Sequence, residues 1–301
     1  MSITSFNGGQ PQSARPKVTT LSIQEKKRRR EAITCLTAYD YATSRLVDEA
    51  GIDMILVGDS LAQVVLGYEN TLPVTMEEML HHTRAVRRAV KSALVIADMP
   101  FGAYHDSAKQ GVQNAVRFVK EGGAEAVKLE GGQKRVELVE RVLDAEIPVM
   151  GHIGLTPQSV NKMGGFKVQG KDLAGIEQLI KDAIALDRAG VFSIVLEGVP
   201  REVAAMITAE VNAPTIGIGA GPECDGQVLV FHDILNLTFA PKAKFVRRYA
   251  DAAALIRGAV QQFKSDVEIG SYPSDEESYH LPRETKLELE TILRRKIAVA
   301  K

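Results

Sequence analysis

Acidic residues follow three successive apolar runs in this 301-residue chain. A buried parallel strand that ends in a carboxylate brings charge to the carboxyl edge of its sheet, where α/β enzymes hold their chemistry. Buried carboxylates need cations or hydrogen bonds, and Mg²⁺ is a hard ion that prefers such oxygen ligands. The pattern therefore predicts a metal or acid/base site. The acids and the runs before them are Asp59 after Met54–Val57, Asp98 after Leu94–Ala97 and Glu130 after Ala126–Leu129.

A simpler explanation exists for each of these acids, because an acid between a strand and a helix can cap that helix. Asp59 is the most ambiguous of the three, since the following Ser60 is also a good capping residue. Three strand ends in succession favour the shared site over three separate caps.

Lys128 lies two residues before Glu130, so on an extended strand both side chains point to the same face. A lysine inside a barrel needs an anionic partner. We consider two partners for it: a carboxylate or oxyanion of a substrate, or one of the strand-end acids in a structural ion pair.

Two further residues end apolar runs in the second half of the chain. Glu197 follows Ser193–Leu196, and a carboxylate across a cavity from a metal-bound substrate is placed to move a proton. His152 ends the run that begins at Pro148, where it serves either chemistry or structure. The chain shows no Walker loop, HExxH motif or serine nucleophile elbow.

The bulk composition is that of an ordinary globular protein. With a net charge of −1, the chain lacks the excess positive charge that would attract nucleic acid or an anionic membrane surface. No apolar run is long enough to span a bilayer. The first residues lack the apolar segment of a secretory signal, and two cysteines without CxxC spacing suit a reducing compartment. We expect a cytoplasmic protein with no nucleic-acid or membrane partner.

Short apolar runs alternate with amphipathic segments from Ser22 to about Lys264, which predicts a parallel α/β sheet. Eight strands favour a closed (β/α)8 TIM barrel over an open doubly wound sheet, and no GxGxxG motif follows the first strand. The predicted strands are Ile33–Ala38, Met54–Gly58, Leu94–Ala97, Ala126–Leu129, Pro148–His152, Ser193–Leu196, Pro214–Ile218 and Val228–His232.

Three regions are expected along the chain. Residues 1–19 contain Gly and Pro residues that oppose helix formation and form a disordered tail. Residues 20–270 form the catalytic barrel, in which the basic segment Ile23–Arg30 caps the bottom and Ala250–Lys264 is the last helix. Residues 271–301, rich in charge and containing Pro273 and Pro282, form a C-terminal extension.

The ordered motifs of the chain resemble those of the ketopantoate hydroxymethyltransferase family, a group of TIM barrels of the phosphoenolpyruvate/pyruvate type. The resemblance runs from about Thr20 to Pro273. The motifs are Leu36-Thr37-Ala38-Tyr39-Asp40, Val57-Gly58-Asp59-Ser60-Leu61, Asp98-Met99-Pro100-Phe101-Gly102, Val127-Lys128-Leu129-Glu130-Gly131-Gly132, Gly151-His152-Ile153-Gly154-Leu155-Thr156-Pro157-Gln158 and Ile216-Gly217-Ile218-Gly219-Ala220-Gly221.

The resemblance implies transfer of a hydroxymethyl unit from 5,10-methylenetetrahydrofolate to 3-methyl-2-oxobutanoate, giving 2-dehydropantoate for pantothenate and coenzyme A synthesis through a Mg-stabilised enolate. It also implies a role for each acid. Asp59 and Asp98 would ligate Mg²⁺ and lie close to the keto acid, with Glu130 on the metal directly or through water. Ser60 and Lys128 would bind the keto acid, His152 would bond to the new hydroxymethyl oxygen, and Glu197 would be the general base.

Two alternatives remain open from the sequence. One is a carbon–carbon lyase or phosphomutase of the same barrel superfamily, which would share the metal and the enolate but not the folate. The other is a non-catalytic binding barrel, although the chain keeps Asp59, Asp98 and Glu197. The family resemblance further implies a homo-oligomer, often a decamer.

Overall fold

Eight parallel strands close into a barrel in the order of the chain. A computed structural model describes residues 15–299, with the side chains of residues 15–295. The closed barrel confirms the predicted fold and excludes the open doubly wound sheet. The strands are β1 Ile33–Thr37, β2 Met54–Val57, β3 Leu94–Asp98, β4 Ala126–Glu130, β5 Val149–Gly154, β6 Ser193–Glu197, β7 Thr215–Ile218 and β8 Gly226–Leu229.

Helices alternate with the strands along the chain and also lie in the loops between them. Those that precede β5 are α1 Thr20–Arg29, α2 Tyr41–Glu49, α3 Leu61–Val64, α4 Met76–Ala89, α5 Ala108–Arg117 and α6 Val136–Asp144. Those that follow it are α7 Val160–Met163, α8 Leu173–Ala189, α9 Arg201–Glu210, α10 Phe231–Ile234, α11 Ala252–Glu268 and α12 Arg283–Val299. Within residues 15–299 no helix has the length and apolar character needed to cross a bilayer.

Every residue of β2 to β5 is buried on both faces of the sheet, which explains why these strands are continuous apolar runs rather than alternating ones. On β2, Met54 and Leu56 belong to the cluster that fills the barrel. Ile55 and Val57 belong to the larger cluster between the strands and the surrounding helices. Removing every side chain of one strand from water on both faces fixes the register of the barrel and the position of the strand ends.

The last strand differs from its predicted position. Val228–His232 was predicted, whereas β8 spans Gly226–Leu229 and α10 begins at Phe231. Gly226 pairs with Ile33 and Ile216, and a Cβ at this position would lie 2.4 Å from the Ile33 carbonyl oxygen. The close approach of β1 therefore requires a glycine at position 226. The same glycine has no apolar side chain, so the sequence did not indicate a strand there.

Helix α1 lies at the amino-terminal ends of the strands, as the basic segment was predicted to do. Lys26 Nζ and Arg15 Nη2 each pair with the buried Asp53 carboxylate at 2.7 Å, just before β2. Lys27 Nζ pairs with Asp225 at 3.0 Å, just before β8. These ion pairs close the end of the barrel opposite the carboxyl ends of the strands.

The predicted disordered tail, residues 1–19, falls only partly within the structure, because residues 1–14 lie outside the described residues. The described part is held against the barrel. Lys17 Nζ pairs with Glu125 at 2.6 Å, and Val18 is buried.

The chain divides into two compact units between Ala250 and Asp251, earlier than the predicted boundary at residue 270. Helix α11, predicted as the last barrel helix, lies in the second unit with α12. None of its residues is buried, whereas α8 of the first unit buries Leu179, Ala183 and Leu186. Apolar side chains alone did not distinguish α11 from a barrel helix.

Candidate active site

A cavity of about 820 Å³ opens at the carboxyl ends of the strands. Apolar side chains, among them Leu155 and Phe166, form part of its wall. Every site residue proposed from the sequence lines this cavity. They are Asp59, Ser60, Asp98, Lys128, Glu130, His152 and Glu197.

The acids after β2 and β3 approach each other through the backbone. The Asp59 N–H donates to Asp98 Oδ2 at 3.2 Å, and both side chains are buried. Burial and the neighbouring Asp98 carboxylate raise the pKa of Asp59 well above its usual value. Burial also raises the pKa of Asp98, although Lys128 opposes the shift. The topology thus brings acidic side chains together where the sequence predicted them.

Lys128 makes an ion pair within this cluster. Its Nζ lies 2.7 Å from Asp98 Oδ1, and both side chains are nearly inaccessible to water. Burial opposes the charge of Lys128, but Asp98, Glu130 and Asp59 together raise its pKa. Lys128 and Glu130 both face the cavity, as their spacing on one strand predicted. The structural ion pair considered from the sequence is present, and Lys128 also lines the cavity.

His152 lies between Glu130, the last residue of β4, and Glu197, the last residue of β6. Its Nδ1 lies 3.4 Å from Glu130 Oε1, and its Nε2 lies 3.3 Å from Glu197 Oε2. Burial and Lys128 act against a charged ring, but the two carboxylates prevail and raise the pKa of His152 to about 9. Burial likewise acts against the ionised form of Glu130, but His152 and Lys128 lower its pKa.

Ser60 occupies the first position before α3, yet its side chain makes no capping hydrogen bond. Its Oγ instead lies 2.9 Å from the Tyr39 hydroxyl at the end of β1. Asp59 does not cap α3 either, because its Oδ2 accepts a hydrogen bond from the amide of Gln158. The capping alternative for Asp59 and Ser60 is therefore not what these side chains do.

Gln158 and Tyr104 are buried polar residues of the site that we did not select from the sequence. The Tyr104 hydroxyl donates to Gln158 Oε1 at 2.7 Å and accepts from the Glu130 N–H at 3.1 Å. The Gln158 N–H donates to Glu130 Oε2 at 3.1 Å. Gln158 did stand in a recognised motif, six residues after His152, and a polar residue in the loop that follows this strand is the signal that could have identified it.

The carboxylates of the site suit a divalent ion whose remaining ligands are water and substrate oxygens. Among residues 15–299 no group of three or more His, Cys, Asp and Glu side chains is arranged as a ready-made metal site. Mg²⁺ usually takes one or two protein carboxylates and completes its shell with water and substrate oxygens. Glu130 Oε1 is buried and accepts no hydrogen bond, which leaves it available to a metal-bound water. The residues therefore fit Mg²⁺.

Comparison with known proteins identifies relatives over nearly the whole chain. The family model "Ketopantoate hydroxymethyltransferase" matches residues 17–275. A protein of Koribacter versatilis (strain Ellin345), named 3-methyl-2-oxobutanoate hydroxymethyltransferase, is 71% identical over 287 residues, which cover 95% of this chain and 97% of that protein.

Solved structures share the barrel at low sequence identity. A phosphoenolpyruvate phosphomutase from Streptomyces platensis subsp. rosaceus is similar with a TM-score of 0.55 and 15% identity, covering 93% of this chain and 97% of the other. A 2,3-dimethylmalate lyase, described as a member of the PEP mutase/isocitrate lyase superfamily, has a TM-score of 0.56 and 15% identity, covering 95% and 99%. These similarities show that the chain shares its barrel fold with both structures.

Proposed function

Since this chain belongs to the ketopantoate hydroxymethyltransferase family, we propose that it transfers a hydroxymethyl unit to 3-methyl-2-oxobutanoate and forms 2-dehydropantoate. The observation that carries the proposal is the joining of the strand-end acids to Glu197 by His152 in one cavity. The reaction needs such an arrangement, because one part of the site must hold the keto acid while another removes a proton from the adjacent carbon.

Asp59 and Asp98 would hold Mg²⁺, with Glu130 reached directly or through water. Burial next to another carboxylate makes the charged forms of Asp59 and Asp98 costly, and a cation removes that cost. When bound, Mg²⁺ would act as a Lewis acid that stabilises negative charge on the keto oxygen.

Lys128 and Ser60 would bind the keto acid. Lys128 is a buried cation on the cavity wall, so it can pair with the substrate carboxylate while it stays near Asp98. The Ser60 hydroxyl, held by Tyr39, can donate to a substrate oxygen. Asp59 and Asp98 line the same cavity and would contact the same substrate.

Glu197 would act as the general base. It would take the proton from C3 of the keto acid, whose electrons would then form the new bond to the one-carbon unit. Both C–N bonds between the folate and that carbon would break, and water would supply the oxygen of the hydroxymethyl group. The two folate nitrogens would take up the proton removed from C3 and one proton of the water. His152, whose Nε2 lies 3.3 Å from Glu197 and makes no hydrogen bond, would donate to this oxygen from the buried wall of the cavity.

We further propose 5,10-methylenetetrahydrofolate as the one-carbon donor. A keto acid of eight heavy atoms would fill only part of a cavity of about 820 Å³, so the space admits a second reactant. The apolar walls suit a flat pterin ring. From the family resemblance we also propose a cytoplasmic homo-oligomer such as a decamer.

The test is to incubate the protein with 3-methyl-2-oxobutanoate, 5,10-methylenetetrahydrofolate and Mg²⁺ and to measure 2-dehydropantoate. Formation of this product that depends on all three additions supports the proposal, and its absence overturns it. The same protein given 2,3-dimethylmalate or phosphoenolpyruvate tests the second candidate, a lyase or phosphomutase, which the shared barrel alone suggests.

A further inference from the structure

The buried amide of Gln158 uses both of its N–H groups and its oxygen in hydrogen bonds inside the protein. Its Nε2 donates to Asp59 Oδ2 and to the Met99 carbonyl oxygen, each at 2.9 Å. Its Oε1 accepts from the Tyr104 hydroxyl at 2.7 Å. A carboxylate and a carbonyl can only accept, so these partners fix which end of the amide faces Asp59.

The backbone of Gln158 holds a second acid. Its N–H donates to Glu130 Oε2 at 3.1 Å, in the turn Pro157–Ser159 that follows β5. The Tyr104 hydroxyl accepts from the Glu130 N–H at 3.1 Å, so Glu130 is held at its backbone as well as at its carboxylate. One residue from the loop after β5 thus contacts the acids that end β2 and β4.

We propose that Gln158, oriented by Tyr104, is a positioning residue that sets the carboxylates of Asp59 and Glu130 for the metal. The role rests on the proposed Mg²⁺ site and goes beyond it, because Gln158 is neither a ligand nor a contact of the substrate. An amide suits this task since it has no charge to add to a cavity that already holds Asp59, Asp98 and Glu130. It donates to one oxygen of each acid, Asp59 Oδ2 and Glu130 Oε2, while the other oxygen of Glu130 accepts no hydrogen bond and lies 3.4 Å from His152 Nδ1.

Such outer partners of metal ligands matter because they fix ligand orientation before the ion arrives. Losing one costs about 10- to 100-fold in metal affinity or activity. Gln158→Leu removes the side-chain hydrogen bonds to Asp59, Met99 and Tyr104. It keeps the hydrogen bond from the backbone N–H to Glu130. Tyr104→Phe removes the hydroxyl that orients the amide and leaves Gln158 and all three acids in place.

The experiment measures Mn²⁺ binding to the full protein by electron paramagnetic resonance, without substrate. We expect Gln158→Leu to raise the Kd of Mn²⁺ about 10- to 100-fold. Tyr104→Phe should raise it less, and the double variant should raise it by less than the product of the two single effects, because Tyr104 acts partly through Gln158. Turnover of Gln158→Leu should recover toward the wild-type kcat at saturating Mg²⁺.

The matched control is Gln178→Leu, which removes an amide that donates to Asp182 at 3.2 Å, outside the cavity at the strand ends. It should leave the Mn²⁺ affinity unchanged. A folded Gln158→Leu variant with a Kd within twofold of wild type would overturn the proposal, as would an equal loss in the control. If Gln158→Leu does not fold, Tyr104→Phe carries the test alone. Absence of Mn²⁺ binding to the wild type, or binding that survives Asp98→Asn, would instead overturn the metal site itself.

Discussion

The His152 Nε2 atom lies 3.3 Å from Glu197 Oε2, on the side of the ring opposite the acid cluster. Because the other nitrogen of the ring lies 3.4 Å from Glu130 Oε1, one imidazole joins the proposed base to a proposed metal-binding acid. Its pKa is raised to about 9 because the two carboxylates outweigh burial and the nearby Lys128, whose Nζ lies 3.4 Å from His152 Nδ1. The cavity therefore places Lys128 and His152 side by side among its acids.

Glu197→Gln should stop proton removal while it preserves the shape of the site. We expect kcat to fall about 10²- to 10⁴-fold, the usual contribution of a positioned base. Exchange of the C3 hydrogen of 3-methyl-2-oxobutanoate with D₂O, followed by NMR without folate, isolates this step and should fall in parallel. The control Glu210→Gln changes an exposed acid on α9 and should exchange at the wild-type rate. Normal exchange in Glu197→Gln would assign the base elsewhere.

Lys128→Met separates the two partners considered for this lysine. If Lys128 binds the substrate carboxylate, the KM for the keto acid should rise about 10- to 150-fold, because hydrogen bonds to charged groups contribute about 1.5–3 kcal/mol. Steady-state kinetics measures this change. Lys181→Met, which removes an exposed ion pair with Glu177 on α8, is the control. A lower free energy of unfolding with an unchanged KM would mean that Lys128 serves only its ion pair with Asp98.

Gly154→Ala should move the end of β6. Gly154 has φ of +94°, and a Cβ there would lie 2.3 Å from the Glu197 carbonyl oxygen. Gly270→Ala is a matched control, since its φ is +71° but nothing lies within 4 Å of the added carbon. Both variants carry roughly 1–3 kcal/mol of backbone strain, visible in urea unfolding.

Only Gly154→Ala should also lose turnover, because a displacement of about 1 Å at a catalytic group can cost 10²-fold in rate. The position of Glu197 would not depend on this contact if Gly154→Ala lost stability but kept its kcat.

Asp53→Asn should make the stability of the barrel less sensitive to acid. Burial opposes ionisation of Asp53, but bonds from Lys26 and Thr34 hold its pKa below the usual 3.8. A lowered pKa stabilises the folded state above pH 3.8. This contribution disappears as the pH falls through the pKa that Asp53 has in the folded protein.

The free energies of unfolding of wild type and Asp53→Asn, measured in urea between pH 2.5 and 7 (about the usable range for carboxylate titration), should thus differ most near neutrality and converge in acid. Glu137→Gln, at an exposed acid of α6, should show a small difference at every pH. A constant gap between wild type and Asp53→Asn would contradict the assigned ion pairs.

The fold and the acid cluster were accessible from the sequence because both follow from local patterns. Apolar runs located seven strands closely, and a closed parallel barrel then brings their carboxyl ends together whatever the loops do. Strand β8 was misplaced because Gly226 and Gln227 lack the apolar character of the other strands, and its register depends on contact with β1.

The hydrogen bonds that hold the acids could not be predicted from the sequence. Tyr104 and Gln158 are 54 residues apart, and neither residue type nor spacing indicates that they meet. Their contact depends on the path of two loops, which tertiary packing determines. The boundary of the barrel unit at Ala250 could not be predicted either, because α11 has the apolar residues of a barrel helix but buries none of them.

The ion pairs of α1 and Asp53 have a consequence for how this protein can change over generations. They stabilise the barrel at the ends of the strands where no proposed site residue lies. Substitutions there can add or remove stability without altering the chemistry at the other end. Such a separation lets a lineage acquire a destabilising change of specificity at the cavity and offset it independently, which gives the fold a physical basis for evolvability.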